Sequence, residues 1–364
     1  MKAAVCYEYG KPLVIDDLDL APPQAGEVKV KIAACAICHS DITYADGGWG
    51  GTPPQVFGHE ASGVVAETGP GVHTVKAGDR VLVTLLRSCG HCGSCENGRL
   101  NVCETRFPLD REARMHNGEG TRIKQGLRTG AFAEYTVVDQ SQVAIIPADL
   151  PFDVASLLSC GVITGFGAVV NTARLPANAG TGVIGCGGVG LNAVQGAAYA
   201  GAFPLVAIDV VDEKLETARA FGATHTINSA KTDARRSVGD ITGKRGLEYV
   251  FTAVGNPGAI EQGLALLAPA GTLTIVGMPP TGDLVSFDAT DMANAGQRIL
   301  GSKMGSTRLR VDIPRLIALY QSGRLKLDEL ISNRYPLIEI NRAIDDVRRD
   351  KVLRNVIVFE EKFL

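Results

Sequence analysis

Nowhere in this chain do lysines and arginines gather into a run, and the formal net charge is only −3. A nucleic-acid groove or an anionic membrane surface calls for a dense positive field, so neither is the expected partner. No low-complexity run interrupts an ordinary globular composition, 45% hydrophobic and 21% charged. A secretory signal is not visible: Met1-Lys2-Ala3-Ala4-Val5 has no apolar h-region and reads as the start of a strand. The longest uncharged run, Leu175 to Ile208, has the length of a membrane span. Its glycines, with Asn192, Gln195 and Pro204, suit a soluble strand–turn–helix–strand instead. A disulfide framework is missing too. The nine cysteines are odd in number, and five of them (Cys38, Cys89, Cys92, Cys95, Cys103) stand beside other ligand types. That clustering points to metal binding in a reducing, cytoplasmic setting. Cys6, Cys35 and Cys186 lie among small apolar residues and are expected as buried thiols.

What is present starts with length. A chain of 364 residues exceeds what one core usually takes, so two domains are expected. Up to about residue 150 the pattern is β-rich. Val28-Lys29-Val30-Lys31-Ile32 alternates with period two, and Gly63 to Ala66 and Asp79 to Val83 are short runs between turns at Gly69-Pro70-Gly71 and Ala77-Gly78-Asp79. Short antiparallel strands with such turns predict a compact, barrel-like domain.

Cys38-His39-Ser40-Asp41 and Gly58-His59-Glu60 place a thiolate, imidazoles and carboxylates in one stretch, a donor set suited to zinc. This stretch cannot close a four-coordinate site. A catalytic metal would want one more protein ligand from far along the chain. Ser40, two residues after the cysteine, is placed to reach the oxygen of a bound substrate.

Cys89, Cys92, Cys95 and Cys103 read as a closed, all-cysteine zinc lobe. Four thiolates fill a tetrahedral shell, so its role is structural, and His91 and Glu96 within the loop are not needed. Residues 104–130 are polar and irregular, with Arg106, Arg111, Arg114, Arg122 and Arg128, and are expected as a solvated loop that roofs a site. One of those arginines is a candidate contact for an anionic substrate.

After Pro151 helical periods take over. Gly182 to Gly190 carries a buried strand into Gly-x-Gly-x-x-Gly, followed by a small-residue helix, the strand Leu205 to Ile208 and then Asp209. This is the context of a dinucleotide site. Gly185 permits the tight turn, Gly187 and its neighbour Gly188 let backbone approach a pyrophosphate, and Gly190 permits close helix–strand packing. The helix N-terminus offers N–H groups to phosphate. Asp209 can accept the adenosine ribose hydroxyls, and no cation follows it directly, so NAD is favoured over NADP. Lys214 is a further ribose contact. Later strands are expected at Glu248 to Phe251, at Gly271 to Gly277 and, as an edge that pairs with a second subunit, at Arg298 to Gly301. A helix at Pro314 to Ser322, a strand at Ile331 to Tyr335, a helix from Ile338 and a strand at Asn355 to Phe359 complete the pattern. This last part is expected to return to the first domain. Arg354 there is placed to reach cofactor phosphates.

Taken in order, Cys38 to Asp41, Gly58 to Glu60, the four-cysteine lobe, Cys160 before Thr164-Gly165, and the Gly185–Asp209 unit resemble the zinc-dependent medium-chain alcohol dehydrogenases over essentially the whole chain. Leu157 to Ala168 is most similar to the class III branch, the glutathione-dependent formaldehyde dehydrogenases. The resemblance implies an α/β protein: a GroES-like β-rich catalytic domain, residues 1–162 completed by 305–364, and a Rossmann NAD-binding domain, residues 163–304. It implies NAD and two zinc ions per subunit, a small alcohol or aldehyde as substrate, and a homodimer or homotetramer. Cys38, His59 and Cys160 would hold the catalytic zinc, with Glu60 an occasional ligand and Asp41 orienting His59. Ser40 would pass the alcohol proton outward, His39 would contact the pyrophosphate, and Thr164 and Val189 would lie against the nicotinamide. Thr43 stands where many members have a histidine as proton acceptor, so the relay is expected to end at the cofactor ribose and solvent. Phe107 stands where the class III branch has an arginine, next to Arg106. Trp49 and Leu85 fall at pocket-lining positions. Besides the alcohol dehydrogenase, an S-(hydroxymethyl)glutathione dehydrogenase stays open. The complete ligand set disfavours a zinc-independent reductase or a non-catalytic nucleotide-binding protein.

Overall fold

The computed structural model describes residues 1–349 and 352–359. The chain divides into two compact units, residues 1–160 with 308–364 and residues 161–307. The first change of unit thus falls at Cys160, two residues before the expected boundary.

In the first unit, Lys2–Cys6, Val14–Leu20, Met115–Asn117, Arg122–Gln125 and Gln55–Val56 close a small barrel. A seven-stranded sheet runs in the order Val143–Ile145, Arg80–Val83, Glu60–Thr68, Glu27–Ala36, Arg354–Val358, Ile331–Pro336, with Tyr135–Asp139 also paired to Glu27–Ala36. The strand Glu27–Ala36 shows how sequence sets this layer. Val28, Val30 and Ile32 are fully buried while Lys29 and Lys31 are half-exposed, the alternation of a one-sided strand. From Ala33 to Ala36 every residue is buried, because Arg354–Val358 and Glu60–Thr68 flank the strand there. The register Val356↔Ala36 and Glu60↔Ala36 brings Arg354, Glu60 and the start of the Cys38 motif to one end of the sheet.

Residues 104–130 differ from the expected irregular loop. Two of their segments are barrel strands, and Met115 and Ile123 are fully buried in the core. Arg114 is no solvated cation: its Nη2 and Nε donate to the buried Glu27 carboxylate at 2.7 and 3.0 Å, and its Nη1 to Glu112 at 2.9 Å. Arg106, Arg111, Arg122 and Arg128 are exposed. Towards the C-terminal part, the helix Leu309–Gln321 begins five residues before the expected start at Pro314. Pro314 lies inside this helix, where its missing N–H removes one helical hydrogen bond. The turn Leu337–Glu339 precedes the helix Ile340–Arg348, and the last strand is Arg354–Val358.

The second unit is a six-stranded, wholly parallel sheet in the order His225–Asn228, Leu205–Asp209, Thr181–Ile184, Leu247–Thr252, Leu267–Ile275, Arg298–Gly301. Thr181–Ile184 and Leu205–Asp209 are buried at every residue, as strands covered on both faces must be. The order reverses between Thr181–Ile184 and Leu247–Thr252, the switch point where such sheets bind nucleotides. Arg298–Gly301 is one edge strand and His225–Asn228 the other.

Candidate active site

The metal-ligand stretch is built on the first turn of the helix His39–Ala45, with Cys38 as its N-cap. Asp41 organises it. One carboxylate oxygen accepts the Cys38 backbone N–H at 3.0 Å, and the other accepts Gly58 N–H at 2.9 Å and His59 Nδ1 at 3.0 Å. The Nδ1 nitrogen is therefore the protonated one, and Nε2 is left to bind something else. Gly58 makes the close approach possible. Its φ is +89°, and a Cβ there would lie 2.6 Å from Phe132 N.

Cys38, His59, Glu60 and Cys160 each offer a ligand atom, all within 4.8 Å of one another and all buried. His59 Nε2 and both Glu60 oxygens are buried without a hydrogen-bond partner among the described residues. Two thiols, an imidazole nitrogen and a reserve carboxylate, buried and close together, are a donor set that fits a zinc ion well. The protonation of the cluster reflects this crowding. The Cys38 thiol is held well below its ordinary pKa, first by hydrogen bonding with Cys160 and then, against burial, by His59. The same hydrogen bond, with burial, pushes the Cys160 thiol well up. Burial works to lower the His59 pKa, but Asp41 more than offsets it and the imidazole is raised. Glu60 is pushed up to about 8 by burial, although Arg354 opposes this.

Arg354 lies beside this cluster. Its Nη1 donates to Ile37 O at 3.3 Å and its Nη2 is 3.4 Å from Glu60. Burial disfavours its charge, yet the negative groups around it, Glu60 foremost, raise its pKa. His39 is exposed at the first helical position and Ser40 is half-exposed at the second. Thr43 is committed locally, its hydroxyl donating to His39 O at 3.0 Å.

In the lobe, Cys89, Cys92, Cys95 and Cys103 also come within 4.8 Å. The Cys92 and Cys103 sulfurs are 3.8 Å apart, the edge of a tetrahedron with bonds of about 2.3 Å. Backbone N–H groups of His91, Cys92 and Glu104 point at Cys89 and Cys92 sulfurs, the arrangement that steadies thiolates. His91 turns away, its Nδ1 donating to Cys89 O at 2.9 Å, and Glu96 is exposed.

In the second unit, the glycine turn follows Thr181–Ile184 and opens the helix Gly188–Tyr199. Gly190 is required by packing, since a Cβ would fall 1.7 Å from Gly185 O. At Gly187 a Cβ would meet nothing within 4 Å, so no packing among the described residues requires glycine there. Asp209 ends its strand facing this turn and accepts N–H groups from Cys186, Val210 and Val211 at 2.6, 2.7 and 3.0 Å. Lys214 lies close enough for its charge to act on the Cys186 thiol, which is raised first by burial and then by Asp209. Gly188 and Val189 are half-exposed at the helix start, and Thr164 is buried with its hydroxyl 3.6 Å from the Met304 sulfur. Cys6, Cys35 and Cys186 are buried free thiols.

Residues 24–148 match the alcohol dehydrogenase GroES-like domain, and residues 188–322 match the zinc-binding dehydrogenase domain. Putative alcohol dehydrogenase D of Mycobacterium tuberculosis is 38% identical over 98% of this chain and 99% of its own. This chain belongs to the zinc-dependent alcohol dehydrogenase family. An alcohol dehydrogenase class-3 of Cereibacter sphaeroides is 34% identical over 98% of this chain and 99% of its own. The solved benzyl alcohol dehydrogenase of Acinetobacter calcoaceticus superposes with a TM-score of 0.92 at 31% identity, covering 99% of each chain. As a zinc-dependent alcohol dehydrogenase, the protein is an oxidoreductase that works on small alcohols and their carbonyl products, with NAD and zinc as cofactors.

Sequence reasoning missed two buried hydroxyls next to the alcohol dehydrogenase cluster. Ser159 and Thr84 are fully buried and hydrogen-bonded around Cys160. Neither belongs to a recognisable motif. The only signal for Ser159 is its proximity to a ligand in sequence, and Thr84 has none at all.

Proposed function

We propose that Cys38, His59 and Cys160 hold the catalytic zinc, with Glu60 in reserve, and that Cys89, Cys92, Cys95 and Cys103 hold a structural one. The observation that carries this is the buried four-residue cluster whose imidazole is aimed inwards by Asp41. Zinc held there supplies Lewis acidity, lowering the pKa of an alcohol hydroxyl and, in reverse, polarising a carbonyl. Ser40 Oγ would take up the hydroxyl proton of a bound alcohol while passing its own proton on, and NAD, when bound, would supply the hydride acceptor. Thr43, whose hydroxyl donates to His39 O, is no base, so the proton would leave by way of the cofactor ribose and solvent. His39 and the N–H groups of the Gly188–Tyr199 helix start serve the pyrophosphate. Thr164 and Val189 serve the nicotinamide. Arg354, held on Ile37 O beside Glu60, balances the cluster's charge and is our candidate for phosphate contact once NAD binds. Metal analysis should find two zinc per chain, and Cys38→Ala or His59→Ala should abolish turnover with NAD binding intact. Unchanged activity in either variant refutes the assignment.

NAD is preferred over NADP because a carboxylate at Asp209, with no neighbouring cation in Val210-Val211-Asp212, accepts ribose hydroxyls and repels a 2′-phosphate. Lys214, which lies nearby, adds a ribose contact. Asp209→Gly should raise kcat/KM for NADP relative to NAD by at least about tenfold.

The substrate class we favour is an alcohol with an apolar, aromatic substituent. Trp49 meets Tyr44 edge-on at 5.2 Å and Tyr44 stacks on Phe57 at 6.2 Å, an aromatic series leading to the Gly58-His59 turn. The likeness to a benzyl alcohol dehydrogenase points the same way. Phe107, buried against the Arg87 guanidinium, offers no cation to a glutathione carboxylate. A panel of benzyl alcohol, ethanol, a secondary alcohol, and formaldehyde with and without glutathione decides it. Highest kcat/KM on the glutathione adduct overturns this choice.

A homodimer or homotetramer is supported by the free edge Arg298–Gly301 together with the exposed apolar side chains Met278, Leu284 and Phe287 in the preceding segment. Sedimentation at micromolar concentration tests this. Nine unbridged cysteines fit the reducing cytoplasm.

A further inference from the structure

Cys38 and His59 are held together by Asp41, with Glu60 next in sequence, but Cys160 arrives separately, in the turn that follows the helix Phe152–Leu157. What fixes that arrival is a set of buried hydroxyls. Ser159 Oγ donates to Ala61 O at 2.9 Å, directly after the Glu60 and His59 positions. Thr84 Oγ1 donates to Ser159 O at 2.6 Å, and Ser159 N–H donates to Ser156 O at 3.0 Å. Every polar group of Ser159 is thus tied, immediately before the cysteine. Thr84 is itself fixed: its N–H donates to Gln142 O at 3.0 Å and its carbonyl accepts Gln142 Nε2 at 2.8 Å. Ser159, Thr84 and Gln142 are all fully buried, so water cannot replace a lost partner. At the far end of the segment, Ser62 Oγ donates to Phe152 O at 2.5 Å.

We infer that Ser159 and Thr84 are positioning residues that set the third zinc ligand, Cys160, against Cys38 and His59. The inference rests on the reading of that cluster as the catalytic zinc site. A metal site draws its affinity from ligands already held in place, and loss of an orienting hydrogen bond typically weakens binding by about 10–100-fold. The lobe cysteines have no part in this network, so the effect falls on one zinc of the two.

The experiment compares the zinc-loaded wild-type protein with Ser159→Ala, Thr84→Val, Thr84→Ser and Ser62→Ala. Zinc per chain is measured during titration with a chelator, and the cobalt-substituted forms are compared by their thiolate charge-transfer and ligand-field absorption. Ser159→Ala and Thr84→Val should lose one zinc at about 10–100-fold lower chelator concentration while the other is retained, and their cobalt spectra should change. Thr84→Ser should restore wild-type retention, and Ser62→Ala, which removes a hydroxyl at the distant end of the same segment, should keep both ions. Wild-type retention in Ser159→Ala and Thr84→Val, equal loss of both ions, or failure of Thr84→Ser to restore would each overturn the inference. A wild-type protein that binds a single zinc would instead defeat the site reading on which it stands.

Discussion

The carboxylate of Asp41 meets the imidazole of His59 at 3.0 Å while also holding the Cys38 and Gly58 backbone N–H groups. A single buried side chain thereby fixes two candidate ligands from separate stretches of chain and the tautomer of one of them. Asp41→Asn should keep the fold but weaken zinc binding at this site by about 10–100-fold, with activity partly restored by added zinc. Zinc titration of the variant checks it, and wild-type affinity would show that the carboxylate does not orient the histidine.

Ser40 stands at the second position of the same helix and is half-exposed. Its replacement by Ala should slow single-turnover NADH formation by about 100-fold and alter its pH dependence, with NAD affinity preserved. A rate within a few-fold of wild type would remove Ser40 from the proton path.

Gly190→Ala should cost about 1–3 kcal/mol or more, because the added methyl carbon is driven into Gly185 O. Thermal unfolding reads the loss and NAD titration reads the distorted turn. Gly187→Ala offers the contrast, since nothing surrounds its Cβ: stability should hold and NAD affinity should fall.

Arg114 and Glu27 are both about 4% exposed and joined by two hydrogen bonds. Arg114→Ala leaves a buried carboxylate without its partner and should destabilise by about 3–5 kcal/mol. The double replacement Arg114→Met with Glu27→Leu should recover much of that loss. Urea unfolding distinguishes the two, and equal stability losses would mean the charge pair is not the cause.

The motifs that carry chemistry were readable because metal and phosphate chemistry demand particular residue types at close spacing. Cys89, Cys92, Cys95 and Cys103 converge, and the glycine turn opens its helix where the pattern placed it. The parallel sheet and the β-rich first unit followed from periodicity. Residues 104–130 misled because Arg114 is buried only through its pairing with Glu27, a partner no local pattern reveals. The Ser159–Thr84 contacts were invisible for a similar reason. A hydroxyl bonded to a distant carbonyl looks in sequence like any other serine or threonine.

The pairing of Arg354 with Glu60 has a consequence for the order of folding. Glu60 and its neighbours are synthesised early, but their charge partner and the strand that carries it come only after residues 161–307, which form a compact unit of their own. The nucleotide-binding unit therefore has all its residues in hand while Glu60 still lacks Arg354 and the strand that covers it. The catalytic half thus needs a pairing between the two ends of the chain, across residues 161–307 of the other unit, before its sheet is whole.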